Sequence, residues 1–240
     1  IFECYSRNTA TFLIAGPKCT RTCRFCDVPK GLPGPVDKDE PVRISRAVAG
    51  LGLKHVVITS VTRDDLDDGG AGHFAAVLKQ IKQDHPGCST EVLVPDFQGK
   101  KTCLDQILEA RPDVLGHNLE TIKRLYPRVR PQADHDLSLG ILKYVSQSLN
   151  RVRVKTGLMA GLGEEDQEVR KTLRQIRDAG CDMVTIGQYL RPSLTALPVS
   201  RYVPPEVFAA YEQQGRTLGL KMLCGPLVRS SYQADQLLNS

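Results

Sequence analysis

The chain has 240 residues, 41% hydrophobic and 25% charged, and a net charge of +5. No apolar run approaches the ~20 residues that cross a bilayer, and the start lacks the basic-then-apolar pattern of a secretory signal, so the expectation is a cytoplasmic protein without a membrane partner. Trp is absent and aromatics are 5%, which with no block of like charge gives nucleic acid no footing.

In chain order, short runs rich in β-branched residues alternate with amphipathic segments. A strand is predicted over 10–15 and, after a long loop, a helix over 43–51 closed by Gly52. A strand over 55–61 and a helix over 74–84 follow, then a strand over 91–95 and a helix over 104–110. The next pairs are 114–117 with 138–147, 153–159 with 167–179 and 183–188 with 205–218. Gly180 and Gly219 stand at the C-caps of the last two helices, and a final strand is read at 221–224. The near-continuous apolar strands suit a parallel sheet covered by helices. About six strand–helix units predict an α/β fold, a partial (β/α)6 TIM-type barrel, in a single domain over 1–240. A doubly wound sheet is the alternative, but no G-x-G-x-x-G follows the first strand.

The loop after the first strand carries Cys19, Cys23 and Cys26 in CTRTCRFC, spaced C-x3-C-x2-C. Three thiolates at this spacing can hold three irons of a [4Fe–4S] cluster and leave the fourth open. A zinc site normally shows a second CxxC or an HxxxH; neither is present, and His55, His73, His85, His117 and His135 are scattered. A disulfide framework is weaker still, since Cys88, Cys103, Cys181 and Cys224 are isolated and read as small buried hydrophobes.

In a barrel the chemistry sits at the C-terminal strand ends. That rule selects Thr59, Ser60, Thr62, Arg63 and Asp64 after the second strand and Asp96 after the third. Asn118 and Glu120 follow the fourth, the 161–164 turn the fifth, and Gln188 and Arg191 the sixth. Arg124, Arg128 and Arg130 flank Tyr126-Pro127, and one of them could pair with a carboxylate. A solvated face is the default for any single one.

The cysteine run resembles the signature of the radical S-adenosylmethionine (SAM) enzymes, and Phe25 before the last cysteine fits it, although ordinary packing also explains an aromatic there. The likeness narrows over ECYSRNTATFLIAGPKCTRTCRFCDV (3–28), SVTRDDLDDGGAGHF (60–74), VLVPDFQG (92–99), HNLET (117–121), GLMAGLGE (157–164), TIGQYLRPS (185–193), LPVSRYVPPEVF (197–208) and GPLVRSSYQAD (225–235). These segments run almost from end to end and resemble lipoyl synthases. The resemblance implies the radical SAM type of partial barrel and insertion of sulfur at C6 and C8 of an octanoyl-lysyl group. The octanoyl group is carried by lipoyl carrier domains, namely 2-oxoacid dehydrogenase E2 subunits and the glycine cleavage H protein. A ferredoxin or flavodoxin would be the reductant. Another radical SAM sulfur-inserting enzyme is the alternative. A non-catalytic metal-binding or electron-carrying module is a third reading.

The resemblance assigns Cys19, Cys23 and Cys26 to a [4Fe–4S] cluster that binds SAM, and Cys4 and Ser231 to a second, auxiliary [4Fe–4S] cluster that gives up its sulfur. It makes 1–8 the remnant of an auxiliary-cluster segment and 221–240 the segment carrying the auxiliary serine. Two further auxiliary cysteines would lie upstream of Ile1, so the expectation is that this chain, as given, at most cleaves SAM. Phe25, Thr62, Asn118, Glu120, Gly161 and Arg191 are the expected cofactor contacts. Gly157, Gly161 and Glu164 form a G-x-M-x-G-x-x-E pattern similar to one that lines the adenosine pocket, though glycines after a strand also simply mark a turn. For Glu120 a helix-start acid is an equal alternative. Gly69 and Gly70 are read as allowing close approach to the methionine end of SAM, because the Asp64, Asp65, Asp67, Asp68 run lacks the EF-hand pattern.

Overall fold

The computed structural model describes residues 8–149 and 152–231; Cys4 therefore lies outside the described residues. The elements are β1 (Thr9–Ile14), α1 (Glu40–Gly50), β2 (His55–Ser60), α2 (Ala71–Asp84), β3 (Ser89–Leu93), α3 (Lys101–Glu109), β4 (Val114–Gly116), α4 (Tyr126–Val129), α5 (His135–Ser146), β5 (Arg153–Ala160), α6 (Asp166–Asp178), β6 (Met183–Gln188), α7 (Pro205–Thr217) and β7 (Lys221–Gly225). Every predicted strand and helix is present. Helix α1 starts three residues early because Pro41 suits a first helical turn, where no N–H bond is needed. The four-residue α4 was not predicted from the sequence; it sets Arg130 at its C-cap.

All seven strands are parallel and pair in the order β1-β2-β3-β4-β5-β6-β7. A doubly wound sheet reverses its order at a switch point; this one does not. Sequential order with crossovers of one hand puts every helix on the same side of the sheet, so the sheet curls into a barrel wall. The outer face packs on the helices through stripes at helical spacing, as with Phe74, Val77, Leu78 and Ile81 of α2, all fully buried. Each such side chain stabilises by about 1.5–3 kcal/mol. No described helix is long and apolar enough to cross a membrane.

The inner face is layered. Near the N-terminal strand ends, Val114 and Met183 pack with Leu223, apart from the outer core. Beside them lies a buried ion pair: Lys155 Nζ on β5 donates to Glu91 on β3 at 2.8 and 3.0 Å, with His55 Nε2 3.9 Å from the same carboxylate. The pair reaches across β4, where Gly116 offers no side chain to block it. Two residues further along each strand, Leu93, Asn118, Gly157 and Thr185 line open space. The change from packed layer to cavity marks where the site begins.

Candidate active site

Ala15, at φ 66°, and Gly16, at φ 95°, turn the chain out of β1 into the cysteine loop. The Ala15 N–H donates to Glu40 Oε2 at 3.0 Å. Arg63 from the β2 loop grips both ends of the loop, donating to the carbonyls of Ala15 at 2.9 Å and Gly34 at 3.0 Å, and is itself held by Asp65. Inside the loop, Cys19 exchanges backbone bonds with the 29–31 stretch, and Thr20 N–H and Oγ1 both donate to the Thr62 carbonyl. Arg24 is bonded to the Val129 carbonyl by its N–H and to Leu197 N–H by its own carbonyl. The loop is thus fastened to the loops after β2, β4 and β6.

Within this frame the three cysteines are partly exposed and line one cavity of about 190 Å³ with Phe25, Thr62, Asn118, Glu120 and Arg130. Backbone N–H groups of Arg21 and Val28 point at the sulfurs of Cys19 and Cys26, at 3.4 and 3.5 Å. Burial pushes the Cys23 thiol up, opposed by the charge of Arg130. Arg130 is 8% exposed; its Nη1 donates to the Asn118 carbonyl, while its buried Nε has no partner among the described residues. Ser60 Oγ, also on this wall, is likewise unsatisfied. Buried donors without acceptors are costly and point to a ligand. A mononuclear zinc draws its thiolates to about 3.8 Å of one another, from a 2.3 Å Zn–S bond. Among the described residues no three His, Cys, Asp or Glu side chains gather closely enough for one metal ion. All three cysteines line one cavity, as a cluster with one sulfur per iron would need.

A second cavity, about 330 Å³, adjoins the first and shares Phe25, Leu93, Asn118 and Glu120 with it. Gly157, Leu158, Met159, Thr185, Gly187 and Tyr189 form its floor and walls, and Val228, Arg229 and Ser230 close one side. Asn118 Nδ2 donates to Glu120 Oε1 at 3.1 Å. Burial raises the Glu120 carboxyl against the pull of Arg130. At Gly157 a Cβ would sit 2.9 Å from Asn118 Oδ1, so any larger residue would displace the Asn118 side chain. Gly187 is a contact the sequence reading passed over: a Cβ there would collide with the Val228 carbonyl. A glycine inside a strand was the available signal.

Other expected residues are placed elsewhere. Gly161, at φ 99°, packs against Gln188 and the Arg201 carbonyl and lines neither cavity. Glu164 is spent on its own turn, accepting the N–H groups of Gly161, Leu162 and Gly163. Arg191 is exposed and donates to the carbonyls of Ala196 and Leu194 in its own loop, so it does not reach the cavities. Arg124 pairs with Glu168 and Arg201 with Asp166, which leaves Arg130 as the inward arginine of the 124–130 trio. Gly69 lies against Phe97 instead of the cavity. Cys224 belongs to the outward set of β7 and packs on the helix side. Ser230 lines the larger cavity, and the partly buried Ser231 stands next to it in the same turn.

His117 closes the floor of the cysteine cavity, with Nδ1–H donating to the Val94 carbonyl at 2.9 Å. Burial and the nearby Arg130 charge, opposed by the Val94 bond and Asp96, push its pKa down to about 4. The unfolded chain therefore binds the extra proton between about pH 6.5 and 4, and stability rises with pH across that window. The metal-free protein is expected to lose about 3 kcal/mol as pH falls through it. Urea titrations should show this slope flattened in His117→Gln; an unchanged slope would place the acid sensitivity elsewhere.

A family model described as the Radical SAM superfamily matches residues 13–187. The chain is 53% identical over 237 residues to the lipoyl synthase of Caldicellulosiruptor saccharolyticus, covering 98% of this chain and 83% of that relative. It is 54% identical over 234 residues to the lipoyl synthase of Caldanaerobacter subterraneus subsp. tengcongensis, covering 97% and 82%. Among solved structures, Streptococcus suis SuiB bound to S-adenosylmethionine superposes with TM-score 0.68 at 11% identity, covering 92% of this chain and 52% of that one. The FeFe-hydrogenase maturase HydG from Carboxydothermus hydrogenoformans gives TM-score 0.68 at 12% identity, covering 96% and 65%. At such identities the structural likeness speaks for the fold alone.

Proposed function

The chain belongs to the lipoyl synthase family of the radical SAM superfamily, a sulfur-inserting enzyme class, and we propose that its two joined cavities bring SAM and an octanoyl-lysyl group of a lipoyl carrier domain together. One observation carries the reading: three cysteine sulfurs and a buried guanidinium with an unused donor line a cavity that adjoins a larger, mostly apolar one. Cys19, Cys23 and Cys26 would each hold one iron of a [4Fe–4S] cluster and leave the fourth for SAM. When bound, the cluster and SAM would supply one electron and one hydrogen-abstracting equivalent per SAM, so that activating both C6 and C8 of the octanoyl chain would consume two SAM and two electrons.

The chain's own residues bind and orient. Arg130 pairs with the carboxylate of SAM. Asn118 and Glu120, at the junction of the cavities, take its ammonium or ribose hydroxyls, and Phe25 covers it from the cysteine side. The Thr62 carbonyl, occupied by Thr20, serves the loop and not the cofactor directly. Leu158, Met159 and Tyr189 keep water from the larger cavity, where the adenosine and the octanoyl chain meet. Ser231, with Cys4, is assigned to the auxiliary cluster that supplies sulfur, and a ferredoxin or flavodoxin to electron delivery, in a reducing compartment such as the cytoplasm.

The test is SAM cleavage by the anaerobically reconstituted chain with dithionite. Formation of 5′-deoxyadenosine is expected; a chain that takes up iron and sulfide yet leaves SAM intact overturns the reading. Arg130→Gln should weaken SAM binding by about 10- to 100-fold, the worth of a charge-assisted hydrogen bond. Equilibrium dialysis on variants of normal iron content checks this, and unchanged affinity would remove Arg130 from the SAM site.

A further inference from the structure

Arg21, between Cys19 and Cys23, is 5% exposed, lines the cysteine cavity and holds its guanidinium in a clamp of two carboxylates. Its Nε and Nη2 donate to Asp64 at 2.7 and 2.9 Å, and its Nη1 and Nη2 donate to Asp96, the latter at 2.6 Å. Burial works to raise both carboxyls, but the bonds and charge of Arg21 hold them below the usual range. The network closes on itself. Gln98 Nε2 donates to Asp64 Oδ1, Gln98 N–H to Asp96 Oδ1, and Asp64 N–H to Thr20 Oγ1. Three successive loops, after β1, β2 and β3, are thereby joined at one side chain. The Arg21 N–H meanwhile points at Cys19 Sγ, so the residue whose guanidinium is clamped is the one whose backbone bonds to a ligand sulfur.

We infer that Arg21 is a positioning residue: the Asp64–Arg21–Asp96 clamp holds the backbone between Cys19 and Cys23 so that the two sulfurs keep the separation and N–H bonding that the cluster requires. The inference rests on the proposal that these cysteines carry a cluster. A buried guanidinium bidentate to two carboxylates is geometrically far more restrictive than a single pair. A lysine carries the charge without the fork. Partners behind metal ligands typically change metal retention by about 10- to 100-fold when removed.

Arg21→Lys and the milder Asp64→Asn are reconstituted beside the wild-type chain. The readouts are iron and sulfide per chain, the rate of bleaching by a chelator, and the electron paramagnetic resonance line shape of the reduced cluster with and without SAM. Far-UV circular dichroism certifies the fold. The expected result is about tenfold or faster bleaching in Arg21→Lys, a smaller acceleration in Asp64→Asn, and an altered line shape in both. Wild-type bleaching and line shape in folded variants overturn the inference. Should Arg21→Lys fail to fold, Asp64→Asn decides alone. A wild-type chain that takes up no iron defeats the cluster reading and this inference with it, whereas iron uptake without SAM cleavage defeats only the SAM reading.

Discussion

Replacing Cys23 by alanine is expected to abolish stable cluster binding and 5′-deoxyadenosine formation while leaving the fold intact. The wild-type chain's SAM cluster should account for about four irons and four sulfides. With Cys23 gone, one iron would have no protein ligand beyond the position meant for SAM, and among the described residues no group of three or more His, Cys, Asp or Glu gathers around a metal position to replace it. The side chain is partly exposed on a cavity wall, so its loss removes little packing. Cys181→Ala is the control with opposite consequences. That thiol is fully buried, burial raises its pKa to about 12, and it bonds the Val154 carbonyl at 3.2 Å. The control should lower stability by about 1 kcal/mol or more and keep the iron. Iron and sulfide analysis beside thermal melts separates the two. A Cys23→Ala chain that retains four irons would mean that Cys23 is not a ligand.

Lys155→Met is expected to cost about 3–5 kcal/mol of folding stability, because it strands the Glu91 carboxylate in the barrel interior. Both partners are about 2% exposed, so water cannot take over. Burial already raises the Glu91 carboxyl against the pull of Lys155, and removing Lys155 takes away the opposing charge. The carboxyl should then be raised further, and the variant should lose part of its deficit as pH is lowered. The double variant Glu91→Leu/Lys155→Met should recover most of the stability, since buried ion pairs are often replaced by apolar groups without loss. Urea midpoints of the four proteins form the cycle. A single variant as stable as wild type would show that the pair is hydrated.

The barrel was legible because its signals are local. Runs such as HVVITS and MVTIGQ are too β-branched and too apolar for a surface helix, and Gly52, Gly180 and Gly219 stop helices where the pattern breaks. The cysteine loop was legible because its three cysteines share eight residues of sequence. What escaped is what sequence separation hides. Arg21 finds Asp64 and Asp96 across 43 and 75 residues, and Glu91 meets Lys155 across 64. Of the three arginines around Tyr126-Pro127, the short helix α4 turns Arg130 inward, where it lies over the Tyr126 ring, and leaves Arg124 to a surface pair. The strand-end rule finds Gly161 and Arg191 in the loops after β5 and β6 but says nothing of direction. One is held against Gln188 by its turn and the other is bonded to its own loop.

The most direct test follows the hydrogen atom. The reconstituted chain is incubated anaerobically with SAM, dithionite and a peptide bearing an octanoyl-lysine deuterated at C6, and the 5′-deoxyadenosine formed is weighed by mass spectrometry. Deuterium is expected in that product if, as proposed, the octanoyl chain and the adenosine meet in the cavity lined by Gly157, Thr185 and Gly187. Formation of 5′-deoxyadenosine free of deuterium, at the same rate with and without the peptide, would contradict it.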